Sequence, residues 1–180
     1  MDSVYAPSDD SYLMLEALEE SLKGPKTVLD MGTGSGILAI AAAKKDCSVT
    51  AVDINPDAIE AAKENAKKER VKISFVLSDL FEKVKGRYDL IVFNPPYVKT
   101  EDSEKTDMQS IAWQGGKDGM AVINRFLKQV KDFLKPGGRV LLLVSSVDDR
   151  VPPIPGFKTK VLKKKSLFFE RLFVLELEPS

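Results

Sequence analysis

The chain contains no histidine. Imidazole chemistry is therefore absent: no Ser-His-Asp triad, no histidine general base and almost none of the usual zinc sites. Its single cysteine, Cys47, excludes an internal disulfide and a cysteine-rich metal cluster. That usage fits a reducing cytoplasm, with Cys47 as a small inert residue between a helix and a strand. Charge of one sign is not in excess, since 27 Lys plus Arg balance 27 Asp plus Glu. Proteins that grip phosphate backbones normally carry a basic excess, so non-specific nucleic-acid binding is disfavoured. No apolar run approaches membrane-spanning length, and Met1 to Asp10 is too acidic and polar for a signal peptide. Repeats, low-complexity tracts and Gly/Ser linkers are missing too.

What is present is one domain's worth of chain: 180 residues, 43% hydrophobic and 30% charged, enough to bury a core. Apolar residues at Tyr12, Leu15, Leu18 and Leu22 give Ser11 to Leu22 a helical period, ended by Gly24-Pro25. Thr27 to Met31 reads as a strand, Ser35 to Lys45 as a helix and Ser48 to Ile54 as a strand. Asn55-Pro56 opens a helix running to about Arg70. Val71 to Leu77 and the buried run Tyr88 to Phe93 are strands. Lys117 to Leu134 is helical up to Pro136-Gly137-Gly138, and Arg139 to Ser145 is a further strand. Asp148 to Gly156, with three prolines, is too broken for a long crossover helix. Phe157 to Lys165 and Leu167 to Leu177 then predict an antiparallel hairpin. The expected fold is α/β: an open, mostly parallel seven-stranded Rossmann-like sheet with helices on both faces and a C-terminal hairpin.

Four motifs sit where the strands end. Asp30-Met31-Gly32-Thr33-Gly34-Ser35-Gly36 follows the first strand and opens a helix. Such glycines bring a ligand against bare backbone at a helix N-terminus. Asp53 ends the second strand, where an acidic residue holds ribose hydroxyls, although it also suits a helix cap. NAD is one candidate ligand, but the third glycine of its fingerprint would fall at Ile37. Asp30 beside the glycines is also a poor neighbour for a pyrophosphate and a good one for a cationic methionine moiety. Ser78-Asp79-Leu80 fits a turn, or an acceptor for the adenine amine with Leu80 on the ring. Its position at a strand's carboxyl end tilts it toward the ligand. Asn94-Pro95-Pro96-Tyr97 follows a greasy strand. Two prolines fix the backbone and strip two donors, Asn94 adds an amide oxygen, and Tyr97 adds a ring. The set suits a planar –NH2 group, with two acceptors for its hydrogens and a face for its plane.

Together these residues resemble a class I S-adenosylmethionine-dependent methyltransferase of the amino-group N-methylating kind. More narrowly, the chain is similar to the HemK-type glutamine methyltransferases that modify the Gly-Gly-Gln loop of translation termination factors. Val4-Tyr5-Ala6-Pro7-Ser8-Asp9-Asp10-Ser11 resembles that family's N-terminal segment, and Trp113-x-Gly115-Gly116-x-x-Gly119 its loop after the catalytic motif. The chain begins almost at that segment, like the short archaeal and eukaryotic form. The resemblance implies that residues 1–24 cover the cofactor. Tyr5, Ser11, Asp30, Gly32, Gly34, Gly36, Asp53, Ile54, Asp79, Leu80 and Asn94 would hold S-adenosylmethionine. Asn94, Pro95, Pro96 and Tyr97 would hold the acceptor amide. It also implies a small zinc-binding activator subunit, and the edge strand 71–77, with Lys72 its one charge, offers that partner a place to pair.

Other readings predict differently. Asn-Pro-Pro-Tyr also suits an exocyclic amine of adenine or guanine in DNA or RNA, but that substrate calls for a basic cleft or an added recognition domain. An inactive cofactor-binding scaffold would have no use for amide-orienting acceptors. Lys163, Lys164, Lys165 and Arg171 form a basic cluster that reads as a solvated strand face.

Overall fold

A computed structural model describes residues 9–24, 26–95, 116–146, 151, 154–168 and 171–180. In chain order the elements are α1 (Asp9–Ser21), β1 (Thr27–Met31), α2 (Ile37–Ala43), β2 (Ser48–Asp53), α3 (Pro56–Lys68), β3 (Ser74–Leu77) and β4 (Tyr88–Phe93). Then follow α4 (Gly116–Gln129), a 3₁₀ turn (Val130–Phe133), β5 (Leu134–Ser146), β6 (Phe157–Ser166) and β7 (Arg171–Pro179). The seven strands form one sheet in the order β3-β2-β1-β4-β5-β7-β6. The five on the β3 side are parallel, β7 pairs antiparallel with β5, and β6 pairs antiparallel with β7. This is the expected α/β sheet. Its strand order reverses between β1 and β4, which opens a crevice at the carboxyl ends of those strands.

Each strand feeds both faces, because successive side chains point opposite ways. Leu90 and Val92 join Leu13, Met14, Leu18, Leu38 and Leu141 under α1 and α2. Ile91 and Phe93 join Ile123, Phe126, Val130 and Leu142 on the other face. There Phe126 of α4 lies 4.6 Å from the Phe93 ring and 5.4 Å from Phe81. A buried ring of this kind contributes about 1.5–3 kcal/mol, and it seats α4 over the end of β4. At the opposite end of the sheet, Asp89 Oδ2 accepts from the Thr27 amide (2.8 Å), the Thr27 hydroxyl (2.7 Å), the Lys26 amide (3.1 Å) and Lys135 Nζ (3.1 Å). Burial opposes its charge, but these four bonds outweigh it and hold the carboxyl well below its ordinary range. The charge thus fastens the starts of β1, β4 and β5 together.

Four boundaries differ from the sequence reading by three residues or more. The edge strand is Ser74–Leu77 rather than Val71 to Leu77. The Val71 amide still closes the end of α3 by donating to the Ala66 carbonyl (3.1 Å), after Arg70 turns at φ +57°. Lys72 thus lies outside β3, which carries no charge at all. Helix α4 stops at Gln129, and β5 already begins at Leu134. The strand runs through Pro136-Gly137-Gly138 as a bulge, with Leu134 opposite Tyr88 and Arg139 opposite Leu90. A Cβ on Gly138 would stand 2.9 Å from the Tyr88 carbonyl, so only glycine lets the strands meet there. Strand β7 begins at Arg171, not Leu167. The far edge is as expected from its lysines: β6 carries five, with Lys163 bonded to Glu20 (2.6 Å) and Lys164 over the Phe173 ring. Charge of this density blunts that edge. Cys47 is buried and reduced. Among the described residues no helix is long and apolar enough to cross a membrane.

Candidate active site

The crevice collects the motif residues because parallel strands end on the same side. Asp53 stands opposite Leu77 and one residue past Val52, which faces Met31 on β1; Met31 in turn faces Phe93 on β4. Asp30 is 1% exposed. Its Oδ2 accepts from the Thr33 hydroxyl (2.6 Å) and from the Ala39 amide in the first turn of α2 (3.1 Å). Its Oδ1 is buried with no partner among the described residues. Burial pushes the carboxyl up to about 7, the Thr33 and Ala39 bonds offset part of this, and the nearby Asp53 charge adds to it.

The glycines of the turn divide the work. Gly36 (φ +82°) is held close to α3, where an added Cβ would meet Ala62 Cβ at 3.0 Å. Gly34 (φ +53°) donates its amide to Asp53 Oδ2 (2.9 Å), and a Cβ there would meet nothing within 4 Å among the described residues. Among the described residues Gly34 therefore borders open space, as a ligand-facing glycine should. Asp53 Oδ1 accepts from the Asn55 amide (2.9 Å), so each carboxylate oxygen keeps lone pairs for a diol. Ile54 is 67% exposed beside it, an apolar surface at the rim. The Ser78 amide donates to the Asp53 carbonyl (2.9 Å), which draws the loop after β3 into the site. Asp79 pairs through Oδ2 with Arg125 Nη2 of α4 at 2.7 Å. Leu80 (φ +45°) is buried and belongs to the core cluster that holds Phe81.

Asn94 closes the crevice from β4. Its backbone oxygen lies 3.7 Å from where a Gly32 Cβ would stand, so the acceptor motif and the glycine turn are neighbours. Asn94 Nδ2 donates to Asp10 Oδ2 of α1 (3.3 Å), while Oδ1 is buried with no partner among the described residues. Pro95 is buried next to it. Ser11 is half-buried on α1. Tyr5, Pro96, Tyr97 and Trp113 lie outside the described residues. Three polar partners escaped the sequence reading. Thr33 lay inside the glycine turn and could have been weighed as a hydroxyl for Asp30. Asp10 was legible only as part of the N-terminal segment, and Arg125 has no local signature at all.

These residues fit S-adenosylmethionine. A bare buried oxygen on Asp30 suits a ligand cation, the bare backbone at Gly34 admits close approach, and Asp53 retains diol-binding capacity. The fold and this site define a class I methyltransferase. The sequence agrees: residues 8–161 match the methyltransferase small domain family. The chain is 43% identical to a Methanocaldococcus jannaschii protein named for protein N5-glutamine methyltransferase activity, over 96% of this chain and 90% of that one. It is 34% identical to the human methyltransferase HEMK2, over 89% of this chain and 80% of the relative. Among solved structures it resembles the E. cuniculi Mtq2-Trm112 complex, responsible for methylation of the eRF1 translation termination factor, with a TM-score of 0.69 and 28% identity over 98% of both chains. The chain belongs to the methyltransferase small-domain family, in its HemK-type branch of S-adenosylmethionine-dependent N-methyltransferases.

An Asp30 carboxyl that faces the cofactor's cation should make cofactor affinity pH-dependent. Folding raises its pKa, so its contribution to stability is greatest below the ordinary carboxylate range and is lost as pH climbs through 7. A cation beside Oδ1 favours the ionised form and must displace a proton below that pH. Affinity should therefore fall by about tenfold for each pH unit below 7, and Asp30→Asn should flatten the profile. Calorimetry in buffers of different ionisation enthalpy reads both affinity and proton release. A flat wild-type profile from pH 5.5 to 7 would show that Asp30 faces no ligand cation.

Proposed function

We propose that this chain methylates the side-chain amide of the glutamine in the Gly-Gly-Gln loop of a peptide release factor, in the cytoplasm. The bare, buried Asn94 Oδ1 at the crevice carries the reading. An amide nitrogen is a weak nucleophile because its lone pair is delocalised. Asn94 Oδ1 and the Pro95 carbonyl would each take one of its N–H hydrogens, aim the lone pair and stabilise the positive charge that develops. S-adenosylmethionine supplies an electrophilic methyl group on a cationic sulfur. Asp53 and the open turn at Gly34 would hold the nucleoside end, Asp30 the methionine end, and Asp79 the adenine amine. Tyr97 would stack on the acceptor amide, and residues 1–24, with Tyr5 and Ser11, would cover the cofactor within a single domain of residues 1–180. Positioning of this kind supplies roughly 7–11 kcal/mol at its upper end, and no histidine base is needed. The similarity to a glutamine methyltransferase and to the eRF1-methylating complex supports this substrate. Methyl transfer from labelled cofactor to a purified release factor tests it. Label should appear on the intact factor and vanish when the loop glutamine is changed; label on RNA or DNA alone would sink the reading.

The same proposal includes a small activator protein, expected from the resemblance to bind zinc, added as a strand on β3. Ser74-Phe75-Val76-Leu77 is an edge without charge or proline, unlike β6. The Ser78 amide points to β2. Amides alternate sides along a strand, so those of Val76 and Ser74 face β2, and those of Phe75 and Leu77 face outward. Leu77, 43% exposed, is therefore the place to test pairing. Leu77→Pro should abolish co-purification with the activator while the chain keeps its melting temperature. Ser74→Pro should instead damage the sheet. Retained complex in a folded Leu77→Pro variant would place the partner elsewhere.

A further inference from the structure

We infer that Asp10, in the first turn of α1, selects which face of the Asn94 amide meets the acceptor, and so acts as a positioning residue for methyl transfer. This rests on the reading of Asn94 as acceptor for the target N–H. An asparagine side chain offers an oxygen that accepts and a nitrogen that donates, exchanged by a half-turn of the terminal torsion. Only the oxygen face can take a hydrogen from the target amide. In the rotated state Asn94 would set donor against donor.

The structure breaks this symmetry. Asn94 Nδ2 donates to Asp10 Oδ2 at 3.3 Å, across 84 residues of sequence. A carboxylate only accepts, so it holds one orientation and has nothing to offer the other. Oδ1 is thereby left buried and without a partner among the described residues. An unpaired buried acceptor is unfavourable in the free protein. The Asp10 bond helps to keep it in place, preorganised for the substrate hydrogen.

A purely structural tether between α1 and β4 makes a different prediction. In Asp10→Asn the new amide oxygen can still accept from Asn94 Nδ2, so a tether survives. Its nitrogen can equally donate to Asn94 Oδ1, so the rotated state becomes available. Asp10→Ala removes both options. If Asp10 orients Asn94, Asp10→Asn, which leaves the two orientations about equally open, should lose about half of kcat, and Asp10→Ala at least as much, with cofactor affinity kept. Asp10→Asn should then add nothing in an Asn94→Ala background. Wild-type kcat in Asp10→Asn, with loss confined to a less stable Asp10→Ala, would overturn the inference.

A second readout needs no substrate. The Asn94 side-chain NH2 signal in a ¹⁵N-labelled chain, identified by its loss in Asn94→Ala, should shift and exchange faster with water in Asp10→Ala. An unchanged signal overturns the role of Asp10 whatever the substrate is. Absence of release-factor methylation by the wild type, with the signal shifting as expected, refutes the proposed substrate and leaves the Asp10 bond supported.

Discussion

Asn94→Ala should abolish methyl transfer while the chain still binds S-adenosylmethionine. The variant loses the buried oxygen that takes an N–H hydrogen of the acceptor. Removing one preorganised electrostatic partner of a developing charge lowers kcat by roughly a hundredfold to a thousandfold. Asn94 also contributes its amide to the Asp10 bond, which is half-buried and long at 3.3 Å, so the stability loss should be modest. Single-turnover transfer measured beside cofactor calorimetry separates the two effects. Turnover near that of the wild type would refute the acceptor role of the motif. Equal losses of affinity and rate would instead make Asn94 chiefly a cofactor residue.

The second large effect should come from Asp53. Its carboxylate does two jobs in the structure. Oδ2 holds the Gly34 amide and Oδ1 the Asn55 amide, both at 2.9 Å, which shapes the turn and the start of α3. The remaining lone pairs are proposed to hold the two ribose hydroxyls. Hydrogen bonds to a charged group are worth about 1.5–3 kcal/mol each, so Asp53→Ala should weaken cofactor binding by roughly 3–6 kcal/mol, a factor of about 150 to 25,000. Asp53→Asn keeps one oxygen for the Gly34 amide but halves the acceptors. It should fall between wild type and Asp53→Ala in affinity, with a lowered melting temperature, because its Nδ2 would face the Asn55 amide donor to donor. Unchanged affinity in both variants would remove ribose binding from Asp53 and leave it a purely local support of the turn.

Local chemistry made much of this protein legible in the amino-acid chain. A glycine-rich turn after an apolar strand can only be a tight strand-to-helix passage, and Asp53 after the next strand had to reach the same end of a parallel sheet. A greasy strand closed by Asn94-Pro95 announced a polar group with backbone acceptors beside it. Alternation of apolar strands with helical periods determined the α/β class, and the broken stretch before Phe157 announced the hairpin. These features depend on residues close in sequence, whose propensities act before any distant contact forms.

Tertiary structure decided the rest. Val71 to Ile73 alternate like a strand, yet the Val71 amide is taken by the end of α3, and periodicity could not reveal that competition. The Pro-Gly-Gly stretch looked like a stop, but the close approach of Tyr88 turned it into a bulge within β5. That Leu80 is buried in the core with Phe81 is likewise a tertiary outcome, which its place after Asp79 does not reveal. Asp10 and Asn94 are 84 residues apart and Asp79 and Arg125 are 46 apart; neither pair leaves a trace in local sequence. Residue type and spacing determined which groups stand at the strand ends. Only the packing of α1 and α4 against those ends decided which lone pairs are taken and which, on Asp30 and Asn94, find no partner among the described residues, because a hydrogen bond between distant residues exists only once the chain has brought them together.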